Sequence, residues 1–334
     1  MFETVALHKL LLEAALPSGF ESRVGDLLAE LAAPFVDEVR RDPLGNVICH
    51  KKGDGDKIML TAHCDLIGFL VTNIDEKGYL RFELVGGHMK AFLHRTPVRF
   101  ANGVTGVIMC EKWAEESKKN ISDLRVGALY IDIGAGSYEK AAQLVHIGDV
   151  AVFQGEPHVQ NGMVITPYAD DLIACVVLLQ VMESLKKSPY DCWFVFTVQE
   201  EVGLRGAKTA AWGVHPDMGI AVDVCGTGDT PNTTAYCDVK LGKGATVKIK
   251  DGSLLCNPQV IAFLREAAER AGIPYQDEIL LAGGTDAGAI QRTHGYILAG
   301  GVSIPTRNVH TPGEIYSLKD VEGAVEILKS ALEG

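Results

Sequence analysis

Five short stretches of this chain run into side chains able to hold a cation or move a proton. KIMLTA ends at His63-Cys64-Asp65, CWFVFTV at Gln199-Glu200-Glu201, and MGIAV at Asp223. ILAGGVSIP is followed, after Thr306-Arg307-Asn308-Val309, by His310, and Asp170-Asp171 precede the run LIACVVLLQVMESLKK. Singly, each has an ordinary reading as a solvated strand end, a helix cap or a surface histidine. Together they put carboxylates and imidazoles at one edge of one sheet. Imidazole mixed with carboxylate suits zinc, cobalt or manganese better than magnesium. Two ions about 3.5–4 Å apart need a ligand between them, and an Asp carboxylate can give one oxygen to each. Asp170, Glu201 and Asp223 with one hydroxide would balance two divalent ions. In His63-x-Asp65, residues two apart on a strand share a face. Asp65 is therefore expected to accept the free imidazole N–H of His63 and fix its tautomer, while Cys64 points away. Gly203 and Gly206 bend the chain after Glu200-Glu201, so that one carboxylate can bind metal while the other faces the attacking water. This adjacency counts against a glycosidase, whose two carboxyls sit on facing walls about 5–9 Å apart.

These stretches need a scaffold that brings strand ends together. Helical periodicity covers residues 4–15 and 22–33, separated by the turn LPSGFE, and RDPLGNVICHKK and KIMLTAHCD read as strands. From about residue 162 strands and helices alternate: LIACVVLLQVMESLKK, CWFVFTV, LRGAKTAAWG, MGIAVDV, NPQVIAFLREAAERAG, ILAGGVSIP and LKDVEGAVEILKSALEG. Such alternation predicts an α/β fold, a mixed and mostly parallel sheet with helices on both faces. Open α/β sheets bind ligands at the carboxyl ends of their strands. Between these parts lie short, Gly-bounded β segments such as VTNIDEKGYLRFELVGG and GDVAVFQGEP, the pattern of a small barrel or sandwich. One polar helical piece falls around EKWAEESKKN. The expected organisation is a catalytic domain of residues 1–70 and 162–334, with a β-rich insert at 71–161.

Composition narrows the partners. The chain has 334 residues and a net charge of −12, without a block of Lys and Arg. Nucleic acid and anionic membranes are not expected partners. No apolar run approaches the roughly 18 residues of a membrane span. The eight cysteines form no C-x-x-C pair and several sit in apolar runs, which reads as reduced thiols in a cytoplasmic protein. The N-terminal segment reads as an amphipathic helix and not as a signal peptide.

QEEVGLRGA, AVDV-x4-DTP and SIPTRNVHTP resemble the tetrahedral dinuclear aminopeptidases of metallopeptidase family forty-two, which includes glutamyl and deblocking aminopeptidases and chains once labelled endoglucanases. AHCDLIGFLV, GGTDAGAIQ, LPSGFE and RDPLGNV fit the same family, in the same order along nearly the whole chain. The resemblance implies a zinc-exopeptidase-like fold and two divalent ions per subunit, zinc foremost, with cobalt or manganese as alternatives. It implies that His63 and Asp223 hold one ion, Glu201 and His310 the other, and that Asp170 bridges them ahead of a cis peptide to Asp171. Glu200 would be the general base acting on a metal-bridging water, and Asp65 the partner of His63. The substrates would be short peptides losing N-terminal residues. The insert would carry the contacts of a homo-oligomer, dimers assembling into a tetrahedral dodecamer.

Two positions depart from the family pattern. Leu172 stands where Arg or Lys commonly follows the paired aspartates, and Leu66 where Glu often follows His-x-Asp. Neither removes a metal ligand. A related dinuclear amidohydrolase, deacylase or carboxypeptidase could use the same five ligands, although QEEVGLRGA and the position of the insert weigh against it. A degenerate binding protein on this scaffold predicts a broken ligand set, whereas all five positions are filled. Arg292, Arg307 and Lys243 are the cations that could receive an acidic N-terminal side chain.

Overall fold

The predicted N-terminal helices form α1 (Thr4–Ala14) and α2 (Ser22–Ala32), followed by β1 (Glu38–Arg41), β2 (Val47–Lys51) and β3 (Lys57–His63). This is a computed structural model, and it describes residues 3–116, 124–231, 233 and 238–334. The chain then enters a closed barrel of β4 (Gly68–Ile74), β5 (Leu80–Val85), β6 (Pro97–Phe100), β7 (Thr105–Cys110), β8 (Leu129–Asp132) and β9 (Val150–Phe153), ordered β4-β5-β8-β7-β6-β9. Two short helices, α3 (Trp113–Glu116) and α4 (Tyr138–Ala142), connect its strands. The polar helix expected around EKWAEESKKN corresponds to α3 as far as Glu116; its continuation lies outside the described residues.

The hairpin β10 (His158–Gln160) and β11 (Met163–Thr166) rejoins the main sheet. Helix α5 (Ala169–Ser184), β12 (Asp191–Thr197), α6 (Arg205–Val214), β13 (Met218–Gly226), β14 (Thr246–Lys250), α7 (Pro258–Ala271), β15 (Gln276–Ile279), α8 (Asp286–Gln291), β16 (Leu298–Arg307), β17 (Glu314–Ser317) and α9 (Leu318–Glu333) complete the chain. Sheet order runs β1-β2-β12-β3-β13-β16-β17-β11-β10, with β14 pairing β16 and β15. The central four, β12-β3-β13-β16, are mutually parallel, and their flanks are antiparallel. The sheet is therefore mixed, with a parallel centre.

Alternation along the central strands explains the helices on both faces. Ile58 and Leu60 of β3, with Phe194 and Phe196 of β12, enter one core with the apolar α5, α1 and α9. Met59 and Val195, one residue out of phase, enter a second core with Ala207, Ala210 and Ala211 of α6 and Ile290 of α8. Helix α5 lies deepest and is apolar on nearly every face, as a helix covered on all sides must be. Leu66 and Leu172, the two departures from the family pattern, are fully buried in the first core. Where a charge would need a partner, this chain has apolar packing.

Candidate metal centre

Strands β12 and β13 flank β3, and the predicted site residues gather above the carboxyl ends of these strands. His63 is the last residue of β3, and Glu200 and Glu201 follow β12. The turn carrying the two glutamates is held from three sides. Asn46 Oδ1 accepts the Val198 N–H at 3.0 Å, and its Nδ2 donates to the Gly206 carbonyl at 3.0 Å. Glu21 Oε1 accepts the Gln199 N–H at 3.1 Å. Asp65 Oδ1 and Oδ2 accept the N–H groups of Glu200 and Glu201 at 3.0 and 3.2 Å. Gln199 takes the left-handed conformation with φ 56°, which reverses the chain there. A Cβ on Gly206 would lie 2.3 Å from the Val198 carbonyl and 2.4 Å from Asn46 Oδ1, so the close turn admits only glycine. The signatures LPSGFE and RDPLGNV thus act by fixing a turn 178 and 152 residues away in sequence.

The five expected ligands come together. Ligand atoms of His63, Asp170 and Asp223 lie within 4.8 Å of one another, as do those of Asp170, Glu201 and His310. Asp170 belongs to both groups: its Oδ1 is 3.0 Å from His63 Nε2, and its Oδ2 is 3.2 Å from His310 Nε2. Glu201 Oε1 is 3.3 Å from His310 Nε2. Glu200 is buried with its Oε2 3.9 Å from His63 Nε2, and faces a cavity of about 700 Å³ shared with all five. Two donor sets that meet on one carboxylate, each holding an imidazole, fit a pair of divalent ions of the zinc type.

Three expectations change in detail. Asp223 does not end its strand; β13 continues to Gly226 because every residue from Met218 onward finds a parallel partner on β16. Asp170 and Asp171 do not cap α5, whose N-cap is Tyr168 at φ 61°; a cis peptide joins the two aspartates, and non-helical backbone separates them from the rest of the helix. His63 Nδ1 lies 3.1 Å from the Asp65 main-chain carbonyl and 3.5 Å from its carboxylate. The carboxylate is occupied by the Glu200 and Glu201 N–H groups and by Ser18 Oγ at 2.6 Å. Donation from Nδ1 leaves Nε2 of His63 facing Asp170.

The electrostatics mark a place for positive charge. Burial alone would lower the His63 pKa, but Glu200, Asp170 and Asp65 raise it well above the ordinary value. His310 is pushed up to about 11, since Asp170 and Glu201 outweigh its burial. Burial drives Asp223 and Glu200 upward, with further repulsion from neighbouring carboxylates. Asp170, despite burial, is held low by His310 and His63. Carboxylates that draw protons onto two imidazoles favour cations at this spot.

The residue that sequence reasoning missed is Glu314. Fully enclosed on β17, it accepts the Asp170 N–H at 3.0 Å through Oε2 and the His310 N–H at 2.8 Å through Oε1. One carboxylate therefore holds the backbones of two expected ligands from separate elements. Its spacing of four residues from His310 was the only sequence signal. Burial, then the charge of Asp170, raise its pKa to about 8. Asp286, in GGTDAG, accepts from Thr197 Oγ1 at 2.6 Å beneath the same site.

The pattern of the M42 glutamyl aminopeptidase family matches residues 45–327. The chain belongs to that family. This M42 chain is 47% identical to an Acetivibrio thermocellus protein described as "Putative aminopeptidase", covering 94% of each chain. The solved structure of an aminopeptidase from the archaeon Desulfurococcus kamchatkensis superposes with a TM-score of 0.94 at 36% identity, covering 99% of this chain and 94% of that one. The Pyrococcus horikoshii TET1 peptidase, whose structure is described as assembling into a tetrahedron or a large octahedral shell, superposes at 0.88 with 31% identity and 99% of each chain covered. This M42 chain is an aminopeptidase-type hydrolase of peptide bonds. No helix among its described residues is long and apolar enough to cross a membrane.

Proposed function

We propose that this aminopeptidase works with two divalent metal ions. His63 and Asp223 hold one, Glu201 and His310 the other, and Asp170 is shared. The single observation that carries the reading is the position of Asp170, one oxygen beside each imidazole. Zinc is the first expectation from the donor set, followed by cobalt and manganese. When bound, such ions supply Lewis acidity, polarising a scissile carbonyl and acidifying water. Glu200 has no place in either ligand group and faces the cavity, so it serves as the general base. It takes a proton from the attacking water and passes it to the leaving amine. Asp65 positions Glu200 and Glu201 through their N–H groups and His63 through Nδ1. Short peptides are the substrates, with the free amino group directed to the carboxylates of the centre.

The barrel is proposed as the assembly module. The relative described as a tetrahedron supports a homo-oligomer built from dimers up to a dodecamer. Light scattering on the metal-loaded protein checks this, and a persistent monomer rejects it.

Metal analysis tests the shared ligand. Native protein should carry two equivalents of zinc, cobalt or manganese. Asp223→Ala should retain one, and Asp170→Ala should lose both. Equal losses in the two variants, or one ion in the native chain, would overturn the dinuclear reading.

A further inference from the structure

One wall of the cavity beyond the metal centre is built from two segments, the turn after β14 and the Gly-rich stretch between β15 and α8. Neither brings a Lys or Arg into the cavity lining. The three cations considered from the sequence are placed elsewhere. Arg307 pairs with Asp229, with Nε donating to Oδ1 at 2.9 Å, and Arg292 Nε donates to the Gly288 carbonyl at 2.8 Å. Lys243 is exposed and outside the cavity.

Behind this wall lies Lys248, fully enclosed on β14. Its Nζ donates to Glu278 Oε1 on β15 and lies 3.9 Å from Asp251 Oδ2. Both carboxylates are buried as well. Asp251 is the tie between the two wall segments. Its Oδ1 accepts the Ser253 N–H at 2.7 Å and the Ser253 hydroxyl at 2.9 Å, and its Oδ2 accepts the Thr285 hydroxyl at 3.0 Å. Ser253 and Thr285 both line the cavity. The segments also meet backbone to backbone. A Cβ on Gly252 would lie 2.4 Å from the Gly283 carbonyl oxygen, and one on Gly288 2.2 Å from Ser253 Oγ. Glu278 reaches the same wall along the chain, because β15 runs directly into Leu280, which lines it. One ammonium therefore sits at the junction of every piece of this wall.

The charge is what makes the junction hold. A buried carboxylate that loses its cation is left uncompensated, and it must recruit water or move towards it. Lys250 does not replace Lys248, since its Nζ donates to the Asp251 main-chain carbonyl at 3.1 Å. Displacement of Asp251 would carry Ser253 and Thr285 with it.

We infer that Lys248 is a positioning residue of this aminopeptidase: without touching substrate, it fixes the turn at 251–254 against the segment at 280–285 and so sets the shape of the substrate cavity. The inference rests on the reading of this cavity as the peptide site and adds to it a residue that none of the metal-centre geometry requires.

The test is steady-state kinetics on the best of leucyl, lysyl and glutamyl p-nitroanilides, with metal content and thermal denaturation measured on the same metal-loaded proteins. Lys248→Met leaves two buried carboxylates unpaired. It should lower the melting temperature and raise KM by about tenfold or more, the scale of a lost pocket contact, with a smaller change in kcat and unchanged metal content. Lys248→Met combined with Glu278→Leu replaces the buried pair by apolar side chains, an exchange that is often neutral for stability. Thr246, which donates to Glu278 Oε2 at 2.6 Å, keeps the Ser303 carbonyl at 3.3 Å. The melting temperature of the double variant should return towards the native value, whereas KM should stay high because Asp251 still lacks its cation. Should Lys248→Met fail to fold, the double variant alone carries the test. Native KM in the double variant would reduce Lys248 to a contributor to stability and overturn this inference alone. Absence of turnover by the native enzyme on every aminoacyl substrate would overturn it together with the peptide-site reading.

Discussion

The two bodies of this chain solve burial in opposite ways. Between residues 68 and 153, Thr96 is the only buried polar side chain among the described residues. The barrel closes on Phe69, Phe82, Phe100 and Phe153, with Phe69 edge-on to Phe82 and Phe153. The sheet edge above β3 buries His63, Asp65, Asp170, Asp171, Glu200, Asp223, Asp286 and Glu314 close together. It also collects left-handed non-glycine residues, Tyr168, Gln199, Leu204, Asn308 and His310. The interior of the barrel is apolar. The edge accepts charges and uncommon backbone conformations that the two cores beneath it must support, which is what a functional site demands.

The largest expected effect would break the comparison on the catalytic side. Glu200→Gln should lower kcat by about 10²–10⁴-fold while both metals and the melting temperature are kept. Near-native turnover by the metal-loaded variant would remove Glu200 as the base. On the barrel side, Phe69→Ala should cost about 3–5 kcal/mol of stability in denaturant titration. If it instead stripped metal from an otherwise folded protein, the two bodies would not be energetically distinct in the way drawn here.

A pH titration probes the sheet domain through a buried imidazole that packs beside Tyr168. His8 sits under the site, with Nδ1 3.0 Å from the Tyr316 hydroxyl and Nε2 3.1 Å from the Tyr168 carbonyl. Burial lowers its pKa from 6.5 to about 4. The unfolded chain therefore binds this proton more readily, and His8 stabilisation is lost as pH falls from 6.5 to about 4. The native protein should lose about 3 kcal/mol across that window relative to His8→Gln. Parallel stability curves for the two proteins would refute it. The smallest effect concerns Glu314. Glu314→Gln replaces one acceptor oxygen with a donor and should weaken metal binding about 10–100-fold in a chelator competition. A purely structural role would lower the melting temperature and leave that affinity unchanged.

What could be read from the sequence follows from how local its cause is. The α/β alternation and the β-rich insert leave periodicity in contiguous residues. The residues that gather at the site were legible because strand ends expose side chains at one edge, and apolar runs broken by His63 or Glu201 stand out. Glu314 could not be seen this way, since its acceptors matter only once β17 lies beside the start of α5. The end of β13 was misplaced because a carboxylate resembles a strand terminator, whereas pairing with β16 carries the strand past Asp223. The fate of Arg307 depended on Asp229, whose approach no spacing announces.

Tyr168 joins the two bodies. Its hydroxyl accepts the Phe153 N–H of the barrel at 2.7 Å, its ring stacks on Phe153, and its carbonyl meets His8, two residues before Asp170. A tilt of the barrel would pull on the same short segment that presents the shared oxygen donors. Tyr168 thereby gives the barrel a direct handle on the backbone that carries Asp170.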